Sequence, residues 1–199
     1  MCAKSVYDLT ALVGSRICHD LISPLGAIGN GLELLQMTGQ ATSPELVLIA
    51  DSVENANAKV RFFRIAFGNA DVGQTLKGSE LQTVLKAMYH NTRLNVIWEP
   101  DDMPRIEAKL ALLTLQCLES ALPYGGTIKV YSMAHGLDMA ASSDRVVLDE
   151  GLWSRLTSTN PQGNLRPAQV QFGLLAELIQ KNRRRFNIIL SEDQIRVTF

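Results

Sequence analysis

Arg16-Ile17-Cys18-His19-Asp20-Leu21-Ile22-Ser23-Pro24-Leu25-Gly26-Ala27-Ile28 sets a histidine beside a carboxylate, with a proline five residues after the histidine. The stretch lies inside a longer run in which Leu9, Leu12, Val13, Ile17, Leu21, Leu25, Ile28, Leu32 and Leu35 recur at spacings of three and four. That period predicts one amphipathic helix over residues 5–38, about 50 Å long at about 1.5 Å per residue. Pro24 removes a backbone donor and crowds the carbonyl of Asp20, so a local kink is expected just after His19. Thr38-Gly39-Gln40-Ala41-Thr42 stops the helix.

Ser43-Pro44-Glu45 starts a second one: a hydroxyl cap, a proline in the first turn and a carboxylate favoured by the helix dipole. It is predicted to reach Phe67, with Leu46, Ile49, Val53, Val60, Phe63 and Ile65 among its apolar positions, and to end at Gly68-Asn69-Ala70-Asp71. Two long helices joined by a short turn form a hairpin whose open side stays wet. A second copy would bury that stripe in a four-helix bundle, so a homodimer is expected. The rest of the same chain is the alternative cover.

After residues 73–78, read as a linker, the pattern changes. Residues 80–93 are predicted as a helix, 95–99 as a strand, 104–122 as a helix and 127–132 as a strand following a glycine turn. A further strand is expected near Arg145-Val146-Val147-Leu148, a helix over 167–184, and a closing hairpin from 187–190 and 194–199. This order predicts an α+β fold. An N-terminal helical domain (1–70) precedes an α/β sandwich (79–199) with its sheet on one side and helices on the other.

Composition bounds the partners. With 19 basic against 20 acidic residues the net charge is −1, which argues against a nucleic-acid backbone as main partner. The sequence has no long uncharged apolar run to cross a membrane, and Met1-Cys2-Ala3-Lys4-Ser5 lacks the apolar core of a signal peptide. Cys2, Cys18 and Cys117 are odd in number and show no CxxC spacing. They fit a reducing cytoplasm, with Cys18 and Cys117 read as small core residues.

His19 is offset from the stripe of Val13, Ile17, Leu21 and Ile28 and is expected to face solvent. With an unperturbed pKa of about 6.5, an imidazole is largely neutral in a cytoplasm. Its free nitrogen can then attack a phosphoryl group while the other carries the proton. Asp20 is the candidate for orienting that tautomer, or for a general base. Arg16, Ser23, Gly26 and Asn30 share a helical face with His19 and leave room for a docking partner. Gly29 and Gly31 cost helix propensity, about 1 kcal/mol each relative to alanine, which suggests close approach of another backbone, either that of the dimer mate or that of a partner. His90 and His135 lack comparable neighbours and are read as surface residues without a role. Neither has zinc-site spacing, so no metal ligand is expected on this chain.

His19-Asp20-Leu21-Ile22-Ser23-Pro24-Leu25 resembles the histidine box of sensor histidine kinases. With its continuation Gly26-Ala27-Ile28-Gly29-Asn30-Gly31-Leu32-Glu33-Leu34-Leu35 it resembles the ChpT histidine phosphotransferases of alphaproteobacteria. The likeness is sharp over residues 16–35 and consistent in layout beyond them. It implies a dimeric helical-hairpin bundle followed by a degenerate domain related to the kinase ATP-binding module. It also implies a relay of phosphate from the receiver domain of a hybrid kinase to the receivers of response regulators, with His19 as phosphoacceptor. Magnesium is expected in the partner receiver, and this chain is expected to bind no cofactor.

Laid against the kinase module, Ser120 falls where a metal-binding asparagine would stand, and a hydroxyl is a poor substitute for that amide. Asp144 and Asp149-Glu150-Gly151 lack the second glycine of an adenine-reading loop. Val170-Gln171-Phe172-Gly173-Leu174-Leu175-Ala176 keeps one glycine where close phosphate approach needs several. The resemblance thus implies a retained fold with its nucleotide pocket dismantled. The rivals are an active or phosphatase-biased kinase fragment, which must bind nucleotide, and a non-catalytic scaffold or inhibitor docking on receivers or a kinase.

Overall fold

The computed structural model describes residues 9–37, 44–71, 73–158, 164–191 and 193–199. The expected turn at 38–42 and the Ser43 cap lie outside them. Helix α1 (Leu9–Met37) is helical throughout, Pro24 included. Helix α2 (Pro44–Ala66) carries Glu45 in its first turn and Arg64 in its last, each of the sign that the dipole favours. The two run antiparallel. A Cβ built on Gly14 would stand 3.6 Å from the Phe67 carbonyl, and one on Gly29 would stand 3.8 Å from Val53 Cγ1.

The face of α1 that meets α2 overlaps the predicted stripe only in part. It runs through Gly14, buried Cys18, Gly29 and buried Leu32. Leu21 and Ile28 are 46% and 50% exposed; the side chains of Val13 and Ile17 lie outside the described ones. Periodicity finds every apolar residue on a helix but does not choose between neighbouring lines of them. The small residues take the contact because they let α2 come close. Within the chain neither glycine meets another backbone: a Cβ on Gly29 would meet only the Val53 side chain, and one on Gly31 nothing within 4 Å.

The C-terminal half of α2 turns Ala58, Phe62, Ile65 and Ala66 into a core that continues through the rest of the chain. The predicted linker holds a short strand, β1 (Thr75–Leu76), and α3 (Gly78–Met88) begins at its last residue. Strands β2 (Leu94–Trp98) and β3 (Met103–Pro104) lead into α4 (Arg105–Ser120). The β1–β3 pairing buries Leu76 against Met103, and a two-residue bridge leaves no periodic signature to read. Helix α4 is buried almost all round from Ala108 to Leu118, as expected of a helix covered on several sides. It packs on α2 and on the sheet.

Strand β4 (Gly126–Met133) is followed by β5 (Gly136–Ser142), which corrects the strand expected near residues 145–148. The run Gly136-Leu137-Asp138-Met139-Ala140-Ala141-Ser142 is poor in the β-branched and aromatic residues that mark strands. It pairs nonetheless because Met139 and Ala141 fill the core face. Val146 and Leu148 lie half-buried in a segment that leads into α5 (Glu150–Ser154). A 3₁₀ turn at Pro167–Gln169 precedes α6 (Val170–Lys181), and β6 (Asn187–Leu190) pairs with β7 (Gln194–Thr198) as the predicted hairpin. The main sheet has the order β2-β4-β5-β7-β6, parallel between β2 and β4 and antiparallel elsewhere. No described helix is long and apolar enough to cross a membrane.

Candidate functional site

His19 and Asp20 lie within α1, one and two residues past Cys18. Each residue turns the helix by about 100°, so His19 is offset by that angle from the line that packs on α2. Seven and eleven residues on, Gly26 and Asn30 return to the His19 side. Asn30 is exposed, and a Cβ on Gly26 would meet nothing within 4 Å. The side chains of Arg16, His19, Asp20 and Ser23 lie outside the described ones, so the helix register alone places these residues.

Cys18 anchors the register. Its thiol is buried beside α2, and burial pushes its pKa up while the Arg64 charge pulls it down. Cys117 in α4 is also buried, its thiol pushed well up by burial. Both are the small core residues that the sequence suggested. Past His19, where α1, α2 and α3 converge, a groove of about 520 Å³ is lined by Gly29, Leu32, Glu33, Val53, Arg61 and Val84 among others.

The segments compared above with nucleotide-binding loops make local contacts. The Ser120 hydroxyl donates to the Cys117 carbonyl on its own helix at 2.6 Å. Asp149 caps α5, its side chain accepting from the Leu152 amide at 3.1 Å. Residues 170–176 form helix, with Phe172, Leu175 and Ala176 buried, and a Cβ on Gly173 would collide with Leu165 Cδ1 at 2.6 Å. His90 and His135 are exposed.

Sequence reasoning missed the join between the helical pair and the sandwich. Arg105 donates from Nη2 to the Arg64 carbonyl at 2.9 Å and from Nε to that of Asn69 at 2.8 Å. Lys109 Nζ donates to the Gly68 carbonyl at 2.7 Å. The available signal was Arg105 in the first turn of α4, where the dipole disfavours a cation.

A long helical pair packed on a mixed-sheet sandwich is the architecture on which these residues sit. The family profile of the histidine phosphotransferase C-terminal domain matches residues 78–194. The chain belongs to that family. The protein phosphotransferase ChpT of Brucella abortus (strain 2308) is 42% identical over 129 residues, 63% of this chain and 61% of that protein. The match thus spans less than two thirds of that relative's length. A solved bacterial phosphotransferase superposes with a TM-score of 0.67 at 25% identity, over 99% of this chain and 98% of that one. The histidine kinase domain of a blue-light-activated kinase from Erythrobacter litoralis gives 0.49 at 15% identity, over 92% and 94% of the two chains.

Proposed function

We propose that this chain is a cytoplasmic phosphorelay carrier. It takes a phosphoryl group from the aspartyl phosphate of one receiver domain onto His19 and passes it to the aspartate of another, without ATP. The observation that carries the reading is the register of α1. His19 stands off the line that packs on α2, and the helix is open at Gly26 and Asn30 along its own side.

The imidazole lone pair attacks phosphorus, a P–N bond forms, and the P–O bond to the donor carboxylate breaks. Transfer to the second receiver reverses these changes on its aspartate. Asp20 orients the imidazole, and Arg16, Ser23, Gly26 and Asn30 form the docking face. Magnesium belongs to the receiver, where it neutralises charge developing on the phosphoryl oxygens. This chain contributes position.

A second copy covers the exposed apolar line. Leu21, Ile28 and Leu35 are exposed and spaced by seven, with Val47 and Ile49 exposed on α2. A seven-residue repeat is the spacing of a helix-bundle seam. Residues 1–70 then serve phosphotransfer and dimerisation, and 79–199 form the degenerate kinase-like domain. Ile28→Lys is expected to give monomers in sedimentation velocity.

The deciding experiment incubates the full chain with a panel of phosphorylated receivers. Wild type acquires an acid-labile, base-stable label and loses it to a second receiver; His19→Ala acquires none. Label persisting in His19→Ala moves the acceptor elsewhere, and no label on wild type favours the scaffold. Saturable micromolar ATP binding in calorimetry favours the kinase fragment.

A further inference from the structure

Helix α4 begins with two local penalties. Arg105 puts positive charge in its first turn, against its own dipole, and Lys109 follows one turn later. Lys109 is also buried, at 6% exposure, and an ammonium taken out of water needs partners. Both penalties are met across the gap by the end of α2. The last carbonyls of a helix have no partners within it and carry the negative end of its dipole. Arg105 serves that of Arg64 in the last turn of α2 and the Asn69 carbonyl just beyond the helix, and Lys109 serves the Gly68 carbonyl, also just beyond it.

Two residues of the same stretch face α1 as well. Phe67 abuts Gly14 and the Arg64 charge acts on Cys18, the residue before His19. Burial of Phe62, Ile65 and Ala66 attaches α2 to the sandwich, but apolar burial is non-directional. The three cation–carbonyl bonds are directional and fix an angle.

We propose that Arg105 and Lys109 are positioning residues that clamp the end of α2 to α4 and hold the His19-bearing helix at one set orientation to the sandwich, so that a docking receiver meets a single preformed surface. The proposal rests on the phosphotransfer reading above. It assigns no chemistry to either cation.

The test uses full-length Arg105→Gln, Arg105→Lys and Lys109→Met. Two donors are compared: a receiver domain phosphorylated with acetyl phosphate, which must dock, and phosphoramidate, a small donor that need not. Arg105 is only half-buried, so Arg105→Gln is the deciding variant. Its KM for the receiver is expected to rise at least about tenfold, as loss of the two charged hydrogen bonds of Arg105 implies, with phosphoramidate labelling of His19 unchanged. Arg105→Lys restores part of the loss, and Lys109→Met matches Arg105→Gln. An unchanged KM in folded Arg105→Gln overturns the proposal, as does a parallel fall in phosphoramidate labelling. Receiver-dependent label retained by His19→Ala instead refutes the acceptor assignment, and the two failures are thereby told apart.

Discussion

Gly14 of α1 and Phe67 beyond the end of α2 meet so closely that a Cβ on the glycine would stand 3.6 Å from the Phe67 carbonyl oxygen and 3.7 Å from its Cβ. Those are ordinary contact distances, so a methyl fits against Phe67. Gly14→Ala is expected to stabilise the fold by up to about 1 kcal/mol through helix propensity. Gly14→Leu is expected to cost about 1–3 kcal/mol by overpacking and to slow transfer through His19. Urea denaturation of the two variants beside wild type measures both signs.

Gly26 separates stability from docking. Space at its Cβ position is open, so Gly26→Ala should raise stability by about 1 kcal/mol. Gly26→Trp places bulk on the His19 side of α1 and should lower transfer from a phosphorylated receiver about tenfold, a loss of about 1.4 kcal/mol. Labelling by phosphoramidate should survive in both. Equal transfer by Gly26→Trp and wild type would remove Gly26 from the docking face.

Tyr89 donates its hydroxyl to Glu119 Oε2 at 2.8 Å between α3 and α4. Burial raises the Glu119 pKa, while the Tyr89 hydrogen bond and the Lys59 charge lower it; the net direction is up. The phenol is pushed up as well, by burial first and by Glu119. The folded protein therefore holds the Glu119 proton to higher pH than the unfolded chain does. The stability linked to it is full below the unfolded value of about 4.3 and is lost as pH rises through the raised folded value. Glu119→Gln keeps an acceptor for Tyr89 and should flatten Tm against pH in that window. Tyr89→Phe strands the carboxylate and should cost about 1.5–3 kcal/mol at neutral pH.

Gly136 opens β5 at φ +109°, and a Cβ there would fall 1.8 Å from the Phe199 carbonyl oxygen. The Leu137 amide donates to that same carbonyl at 2.9 Å. Gly136→Ala should therefore cost more than about 2 kcal/mol and detach the chain end from β5. Gly31→Ala, with open space around it, should stabilise. Thermal melts of the pair give opposite shifts.

Strong local signals were legible in the sequence. The period of three and four in residues 9–37, the Pro44-Glu45 start of α2 and the alternation along β4 and β7 each mark an element by residues close in sequence. The strand at Gly136–Ser142 escaped because its alanines and aspartate carry little strand preference; its register comes from β4 and β7 on either side. Residues 75–76 escaped because their partners lie at 103–104. For the candidate site, helical spacing put Gly26 and Asn30 on the side of His19, and the structure leaves those two open. The Arg105 and Lys109 bonds could not be read from spacing, since they join residues some forty positions apart.

The sequence by itself determined that His19 rides on a long helix, that a second helix follows, and that a mixed sandwich succeeds them. Only the tertiary structure decided which line of α1 faces α2 and how the pair is fastened to the sandwich. Helical periodicity is a property of one segment's own side chains. The choice between two adjacent apolar lines is made by the partner surface, where glycines and a cysteine permit the closer approach and leave Leu21 and Ile28 outside.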